Sequence, residues 1–140
     1  MKIVFDSSVL VAAFYKPLYG ASFSKGVFDY ISERESIYIS SDILKEVRKA
    51  FKEKLKFSIY QTEYFIALLL KKAKFIDSNE ITVNIPKETK LRDPNDLHIL
   101  KLATAGQAEL ILSWDKDLLS LQQIEGIKIL TPREFWDQLR

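Results

Sequence analysis

The stretch that decides the fold opens the chain: residues 1–14 read MKIVFDSSVLVAAF. Residues 3–5 form a short, continuous apolar run, which is typical of a strand buried on both faces. An acid, Asp6, follows this run directly, and Ser7 or Ser8 is placed to cap the short helix that comes next. The stretch therefore predicts a buried strand with a carboxylate at its carboxyl end.

The rest of the chain repeats this alternation of short apolar runs and amphipathic segments. Further strands are predicted at 37–39, 81–85, 110–112 and 127–130. Further helices are predicted at 22–34, from the Ser40-Ser41 cap to about Leu55, at 59–75, at 94–106, and after the capping box at 131–134. Strands that alternate with helices require crossover connections. The pattern predicts one domain over residues 1–140, a three-layer α/β/α sandwich with a central, mostly parallel sheet.

Composition narrows the function classes. The chain has 140 residues, of which 47% are hydrophobic and 29% charged, enough to bury a sheet between helix layers. The net charge of +2 does not by itself indicate a polyanion partner. The absence of cysteine excludes disulfides, thiolate metal sites and thiol catalysis, and fits a cytoplasmic protein. The single histidine, His98, argues against zinc clusters and Ser-His-Asp triads, and is interpreted as structural. The apolar stretch 64–70 is too short to span a membrane.

Four acids occupy positions near the carboxyl ends of the predicted strands, where open parallel sheets bind their ligands. Asp6 and Asp115 each follow a strand, Glu46 flanks the apolar stripe of a helix, and Asp96 lies in the first turn of the 94–106 helix. Taken singly, each acid is explained as a cap, a turn former or a solvated side chain. Together, converging carboxylates repel one another unless cations lie between them. Oxygen ligands without thiol or imidazole predict Mg²⁺ or Mn²⁺ as the cofactor.

The sequence resembles the PIN-domain family of metal-dependent ribonucleases, most closely its toxin-like branch in toxin–antitoxin systems. The resemblance covers essentially the whole chain and rests on IVFDSSVLVAAF, SSDILKEVRKAF, RDPNDLHILKLATAGQAELILSWDKDLL and GIKILTPREFW. It implies an α/β/α sandwich that hydrolyses RNA phosphodiester bonds with a metal-activated water, leaving 5′-phosphate and 3′-hydroxyl ends. RNA is thus the expected substrate. The expected protein partners are a cognate antitoxin and further copies of this chain, in a homodimer or higher oligomer. Binding to a membrane is not expected.

The resemblance also assigns residues. The four metal-ligating and catalytic acids are expected to be Asp6, Glu46, Asp96 and Asp115. Three supporting residues are expected to be Ser8, Ser113 and Asp117. The chain departs from the family pattern at Ser113-Trp114, where Thr-Gly or Thr-Arg is usual. The bulky Trp114 is expected to reshape the rim of the site without removing a carboxylate.

Three basic residues lie close in sequence to the acids and are expected to contact RNA phosphates: Lys16, Arg92 and Lys116. The alternative interpretation of each is solvated surface charge. Two other functions stay open at this stage. One is a catalytically silent PIN-like domain that binds RNA or acts as a scaffold. The other is a phosphatase with Asp6 as nucleophile, which requires a second Asp where this chain has Ser8.

Overall fold

The structure is a computed structural model that describes residues 1–15, 21–86, 89, 91 and 93–139. The strands are β1 Lys2–Phe5, β2 Ser36–Ser40, β3 Ala73–Ile76, β4 Leu110–Leu112, β5 Gln123–Ile124 and β6 Ile127–Leu130. Within the described residues they form a six-stranded sheet in the order β3-β2-β1-β4-β6-β5. Every neighbouring pair is parallel except β5 with β6. The predicted mostly parallel sheet is therefore confirmed.

Helices cover the sheet on both faces. They are α1 Ser7–Phe14, α2 Ala21–Arg34, α3 Ser41–Glu53, α4 Ile59–Lys72, α5 Leu97–Ala105, α6 Lys116–Leu119 and α7 Pro132–Gln138. Ile3, Val4 and Phe5 are all fully buried, although successive strand residues point to opposite faces. Helix α1 packs on α2 and α3, whereas α5 packs on β1 and β2. The predicted α/β/α sandwich is thus the observed architecture.

Helix starts follow the capping residues in the sequence. The Ser40 hydroxyl accepts a hydrogen bond from the N–H of Ile43 and begins α3, as predicted. The predicted capping box of α7 is also present, with Thr131 and Glu134 bonding each other's backbone N–H groups. The cap of α1 was predicted wrongly. Its N-cap is Asp6, not a serine, and the Asp6 side chain makes no capping bond because it is used elsewhere.

The predicted strand at 81–85 is wrong, and so is the predicted helix end near residue 75. Helix α4 stops at Lys72, and the next four residues form β3 beside β2, with Ile37 opposite Ala73 and Ile39 opposite Phe75. Residues 81–85 have no regular secondary structure. Pairing with β2 satisfies the backbone of 73–76, and this long-range gain overrides the local helix pattern.

Strand β5, which was not predicted, pairs antiparallel with β6 through Ile124 and Ile127. The two residues between them, Glu125 and Gly126, have φ angles of 50° and 80°. Positive φ at both positions characterises the tight turn of a two-residue hairpin, and glycine tolerates it at no steric cost. The Glu-Gly pair between isoleucines was the available signal.

The strand order creates a crevice at the carboxyl edge of the sheet. From β1 the chain moves to β2 and β3 on one side, and it later reaches β4 on the other side. Ligand sites of open α/β sheets lie at such a switch point. Phe5 lies opposite Leu112, so Asp6 and the residues after β4 leave the sheet side by side. None of the helices in the described part of the chain combines the length and apolar character that a membrane crossing requires.

Candidate active site

Asp6 lies at the carboxyl end of β1 and is only 5% exposed. Its Oδ2 accepts hydrogen bonds from the Ser8 hydroxyl and the Ser113 hydroxyl, each at 2.8 Å. Its backbone N–H donates to the Leu112 carbonyl at 2.9 Å, which continues the pairing of β1 with β4. Two donors on one oxygen fix the orientation of the carboxylate and favour its charged form.

The same two hydroxyls connect Asp6 to the segment after β4. Ser8 Oγ accepts the N–H of Trp114 at 3.0 Å, and Ser113 Oγ accepts the N–H of Asp115 at 2.9 Å. A serine hydroxyl can donate and accept at once, so each one bridges Asp6 to that backbone. The short helix α6 is then capped by Asp115, whose Oδ1 accepts the N–H of Asp117 at 2.8 Å. Asp115 therefore lies beside Asp6, as predicted from the strand ends.

The third acid, Asp96, comes from the turn that precedes α5. Residues Pro94–Asp96 form one turn of 3-10 helix, capped by Asp93, whose Oδ1 accepts the N–H of Asn95 at 2.9 Å. Asp93 is thus a cap, as its position before proline predicted. Asp96 itself is only 8% exposed, and its Oδ2 has no hydrogen-bond partner in the described part of the chain.

Burial and neighbouring negative charges raise the pKa values of Asp96 and Asp6. Burial raises the pKa of Asp96 to about 7, and the negative charges of Asp115, Asp6, Asp93 and Glu46 contribute to this rise. Burial is also the main cause of the raised pKa of Asp6, with Glu46 and Asp115 adding to it. The hydrogen bonds that Asp6 accepts oppose this shift without cancelling it. Four acids that are distant in sequence therefore lie close enough to influence one another electrostatically.

Glu46 reaches this edge from α3 and contacts the only histidine of the chain. His98 Nε2, on α5, lies 3.2 Å from Glu46 Oε1. The contact does not have hydrogen-bond geometry, and neither Glu46 Oε1 nor His98 Nδ1 has a hydrogen-bond partner among the described residues. Burial lowers the pKa of His98, but Glu46, with smaller contributions from Asp42 and Asp6, raises it above its ordinary value. The imidazole interpreted as structural is therefore part of the carboxylate edge.

Two buried carboxylate oxygens of the site have the chemistry of metal ligands. Asp96 Oδ2 and Glu46 Oε1 are buried acceptors without donors, which is costly, and a cation would remove that cost. Carboxylate oxygens suit hard divalent ions such as Mg²⁺ and Mn²⁺. Among the described residues, however, no three or more acidic or histidine side chains are arranged, as they stand, to hold an ion. The donor chemistry fits a divalent cation, but the described side chains do not form a closed ligand shell.

The predicted phosphate contacts are described only in part. Lys16 and Arg92 lie outside the described residues. Lys116 is the exposed first residue of α6, directly after Asp115. The indole N–H of Trp114 donates to the hydroxyl of Ser24, a buried residue of α2, at 3.0 Å. Trp114 is thus half-buried against α2 at the rim of the site.

Comparison with known proteins gives two kinds of match. A family model described as PIN domain matches residues 2–117. The structure of VapBC2 from Rickettsia felis bound to a DNA fragment from their promoter has 19% identity and a TM-score of 0.64, covering 92% of this chain and 97% of that chain. Mycobacterium tuberculosis VapC20, a sarcin–ricin loop cleaving toxin, has 11% identity and a TM-score of 0.66, with 90% and 98% covered. The search of curated proteins gave no match.

Proposed function

The chain belongs to the PIN-domain family, and on this premise we propose that it is a metal-dependent endoribonuclease, the toxin of a toxin–antitoxin pair. Its family membership confirms the resemblance read from the sequence. The observation that supports the proposal is that Asp6 is linked to Asp115 through the Ser113 hydroxyl at the carboxyl edge of the sheet, while Asp96 Oδ2 and Glu46 Oε1 are buried without a hydrogen-bond donor among the described residues. Buried carboxylate oxygens of this kind are expected where acids are kept for a cation.

In the proposed mechanism Asp6, Glu46, Asp96 and Asp115 would hold one or two Mg²⁺ or Mn²⁺ ions. When bound, such an ion polarises the phosphoryl oxygen and lowers the pKa of the attacking water. Asp6 is held in place by the hydroxyls of Ser8 and Ser113. Glu46 orients the attacking water, and Lys116 contacts a phosphate of the strand. The products are a 5′-phosphate and a 3′-hydroxyl end.

The proposed partners follow from the family and from one exposed surface. VapC20, which shares the fold, is a toxin that cleaves the sarcin–ricin loop. The proposed substrate of this chain is cellular RNA, which places its activity in the cytoplasm. A cognate antitoxin and a homodimer or higher oligomer are the proposed protein partners. Exposed apolar side chains on α4, those of Ile59, Tyr60 and Tyr64, supply a surface suited to a protein partner.

The decisive experiment is RNA cleavage by purified wild type and by the Asp6→Asn and Asp96→Asn proteins. A panel of defined RNAs, including a sarcin–ricin loop, is incubated with Mg²⁺, with Mn²⁺ or with EDTA. We expect cleavage only with a divalent ion, and a loss of about 100-fold or more in each variant. Asp29→Asn is the matched control, because Asp29 is a half-exposed acid of α2 paired with Lys25. Full activity in both site variants, or undiminished cleavage in EDTA, overturns the proposal.

A catalytically silent RNA-binding domain is the second candidate. It is favoured by the lack, among the described residues, of three acids arranged to hold one ion. Titration of the protein with Mn²⁺ by calorimetry separates the two functions. Heat of binding that disappears in Asp96→Asn supports the nuclease, whereas no binding supports the silent domain.

A further inference from the structure

Beside the carboxylates lies a cleft of about 520 Å³, here called the lysine cleft, lined by Lys45, Lys101, Asp42, Glu46 and His98 together with a few apolar and neutral polar residues. We propose that this cleft binds the RNA strand next to the cleaved bond, with Lys45 and Lys101 contacting its phosphates. The inference rests on the proposed function, because it assigns the substrate path of that site. Neither lysine is among the phosphate contacts predicted from the sequence.

Helix spacing explains why these side chains face one another. Asp42, Lys45 and Glu46 are three and four residues apart on α3, so they share one helix face. His98 and Lys101 are three residues apart on α5 and share the opposing face. The contact between Glu46 and His98 at 3.2 Å joins the two faces at the carboxylate edge. A strand that occupies the cleft therefore leads directly to the acids.

The two lysines are available for a polyanion. Lys45 is exposed and Lys101 is half-buried, and neither forms an ion pair with any residue the structure describes. An ammonium group binds phosphate as a compact charge, without demanding one fixed geometry. Asp42 works against this binding, since its carboxylate lines the same cleft. Removing a lysine charge should therefore weaken RNA binding, whereas removing the Asp42 charge should strengthen it.

The remaining lining suits a sugar–phosphate backbone better than a base. The apolar part consists of Ile81, Pro94 and Leu97, and His98, whose imidazole contacts Glu46, is the one aromatic residue among the described lining residues. Bases are usually held by aromatic stacking, so this cleft is expected to have little sequence preference. The loop after β3 is anchored by two bonds, from the N–H of Asp42 to Ser78 Oγ at 3.1 Å and from the N–H of Ser78 to Ser41 Oγ at 2.9 Å. These bonds hold the loop on this side of the lysine cleft in place before RNA binds.

The test measures RNA binding in the Asp6→Asn background, which prevents cleavage during the measurement. A fluorescent single-stranded RNA is titrated at several salt concentrations. We expect Lys45→Ala and Lys101→Ala each to weaken binding about fivefold and to lower the slope of log affinity against log salt by about 0.7. Asp42→Asn, which removes a repelling charge, is expected to tighten binding about threefold.

Two controls accompany these variants. Lys71→Ala removes an exposed lysine of α4 outside the cleft and is expected to leave the affinity unchanged. Lys101→Gln keeps the aliphatic stem and the helix propensity, so it separates loss of charge from loss of packing. Melting temperatures establish that each variant is folded.

The failure of this inference is distinguishable from failure of the proposed function. If the cleft variants bind RNA like their parent, the inference is overturned, even when the wild type cleaves RNA. A protein occupant of the cleft would give this same result. If no metal supports cleavage but the cleft variants still weaken RNA binding, the nuclease proposal fails. The lysine cleft is then supported as an RNA-binding site. In an active wild-type background, Lys101→Gln is expected to raise KM about fivefold with kcat unchanged.

Discussion

His98 Nε2 lies 3.2 Å from Glu46 Oε1, so an imidazole of α5 and a carboxylate of α3 meet at the edge where the other acids gather. We expect His98→Ala to reduce RNA cleavage about fivefold, because Glu46 then loses the neighbour that holds its carboxylate. The measurement is kcat in single and double variants. If His98 acts through Glu46, adding His98→Ala to Glu46→Gln costs nothing further. Fully additive losses would refute this positioning role.

Ser113 is expected to contribute to both stability and RNA cleavage. Its hydroxyl donates to Asp6 Oδ2 at 2.8 Å and accepts the N–H of Asp115 at 2.9 Å. Ser113→Ala should lower the free energy of unfolding by about 1–2 kcal/mol, because the buried carboxylate and amide lose a partner. RNA cleavage should fall about tenfold through the misplaced Asp6. Ser32→Ala is the control, since it removes only a local bond to the Asp29 carbonyl. Equal effects of the two changes would contradict the prediction.

The repulsion around Asp96 should appear in the pH dependence of stability of the metal-free protein. Burial, with the charges of Asp115, Asp6, Asp93 and Glu46, raises its folded pKa from 3.8 to about 7. Between these values the folded state holds a proton that the unfolded chain releases, so the stability contributed by Asp96 is full below 3.8 and is lost as pH rises through 7.

Asp96→Asn removes the carboxylate whose ionisation destabilises the folded state. It should therefore raise the free energy of unfolding of the metal-free protein most at high pH. We expect a gain of about 1 kcal/mol at pH 8, roughly 3 °C in melting temperature, that shrinks toward pH 4. The measurement is urea unfolding at several pH values in EDTA. A stability difference that stays constant across this range would rule out Asp96 as the titrating group.

Divalent ions should offset the repulsion between Asp96 and the neighbouring carboxylates. We expect saturating Mn²⁺ to raise the melting temperature of the wild type, with a stabilisation of about 2.7 kcal/mol when the ion is at 100 times its Kd. Asp96→Asn should lose most of this shift, because one of the proposed ligands is gone. Asp29→Asn, on α2, should keep it. Equal shifts in all three proteins would mean that Mn²⁺ binds elsewhere.

The exposed face of α4 is the surface we expect to mediate self-association. Tyr60 is 88% exposed and Tyr64 63% exposed, which is unusual for large side chains unless a partner covers them. Light scattering should show a dimer or larger species for the wild type and a monomer for Tyr60→Ser/Tyr64→Ser. Lys71→Ser, on the same helix, is expected to change nothing. A wild type that is monomeric at all concentrations would refute the prediction.

Local features of the fold were predictable because they depend on residues close together in the chain. The apolar run followed by Asp6, the Ser40 cap of α3 and the Asp93 cap before Pro94 involve only neighbouring backbone and side chains. The strand β3 was not predictable in this way. Its four residues continue a helix-like pattern, and only their pairing with β2 makes them a strand.

The same division holds for the candidate site. By itself the sequence determined which residues carry carboxylates, that Asp6 directly follows a strand and that Asp115 lies three residues after another, since these short separations along the chain are covalently fixed. Only the tertiary structure decided that β1 and β4 are neighbours, that Ser113 bonds to Asp6, and that His98 contacts Glu46. These contacts join segments many residues apart. They depend on how the sheet and helices bury their apolar faces together, and no local pattern contains that information.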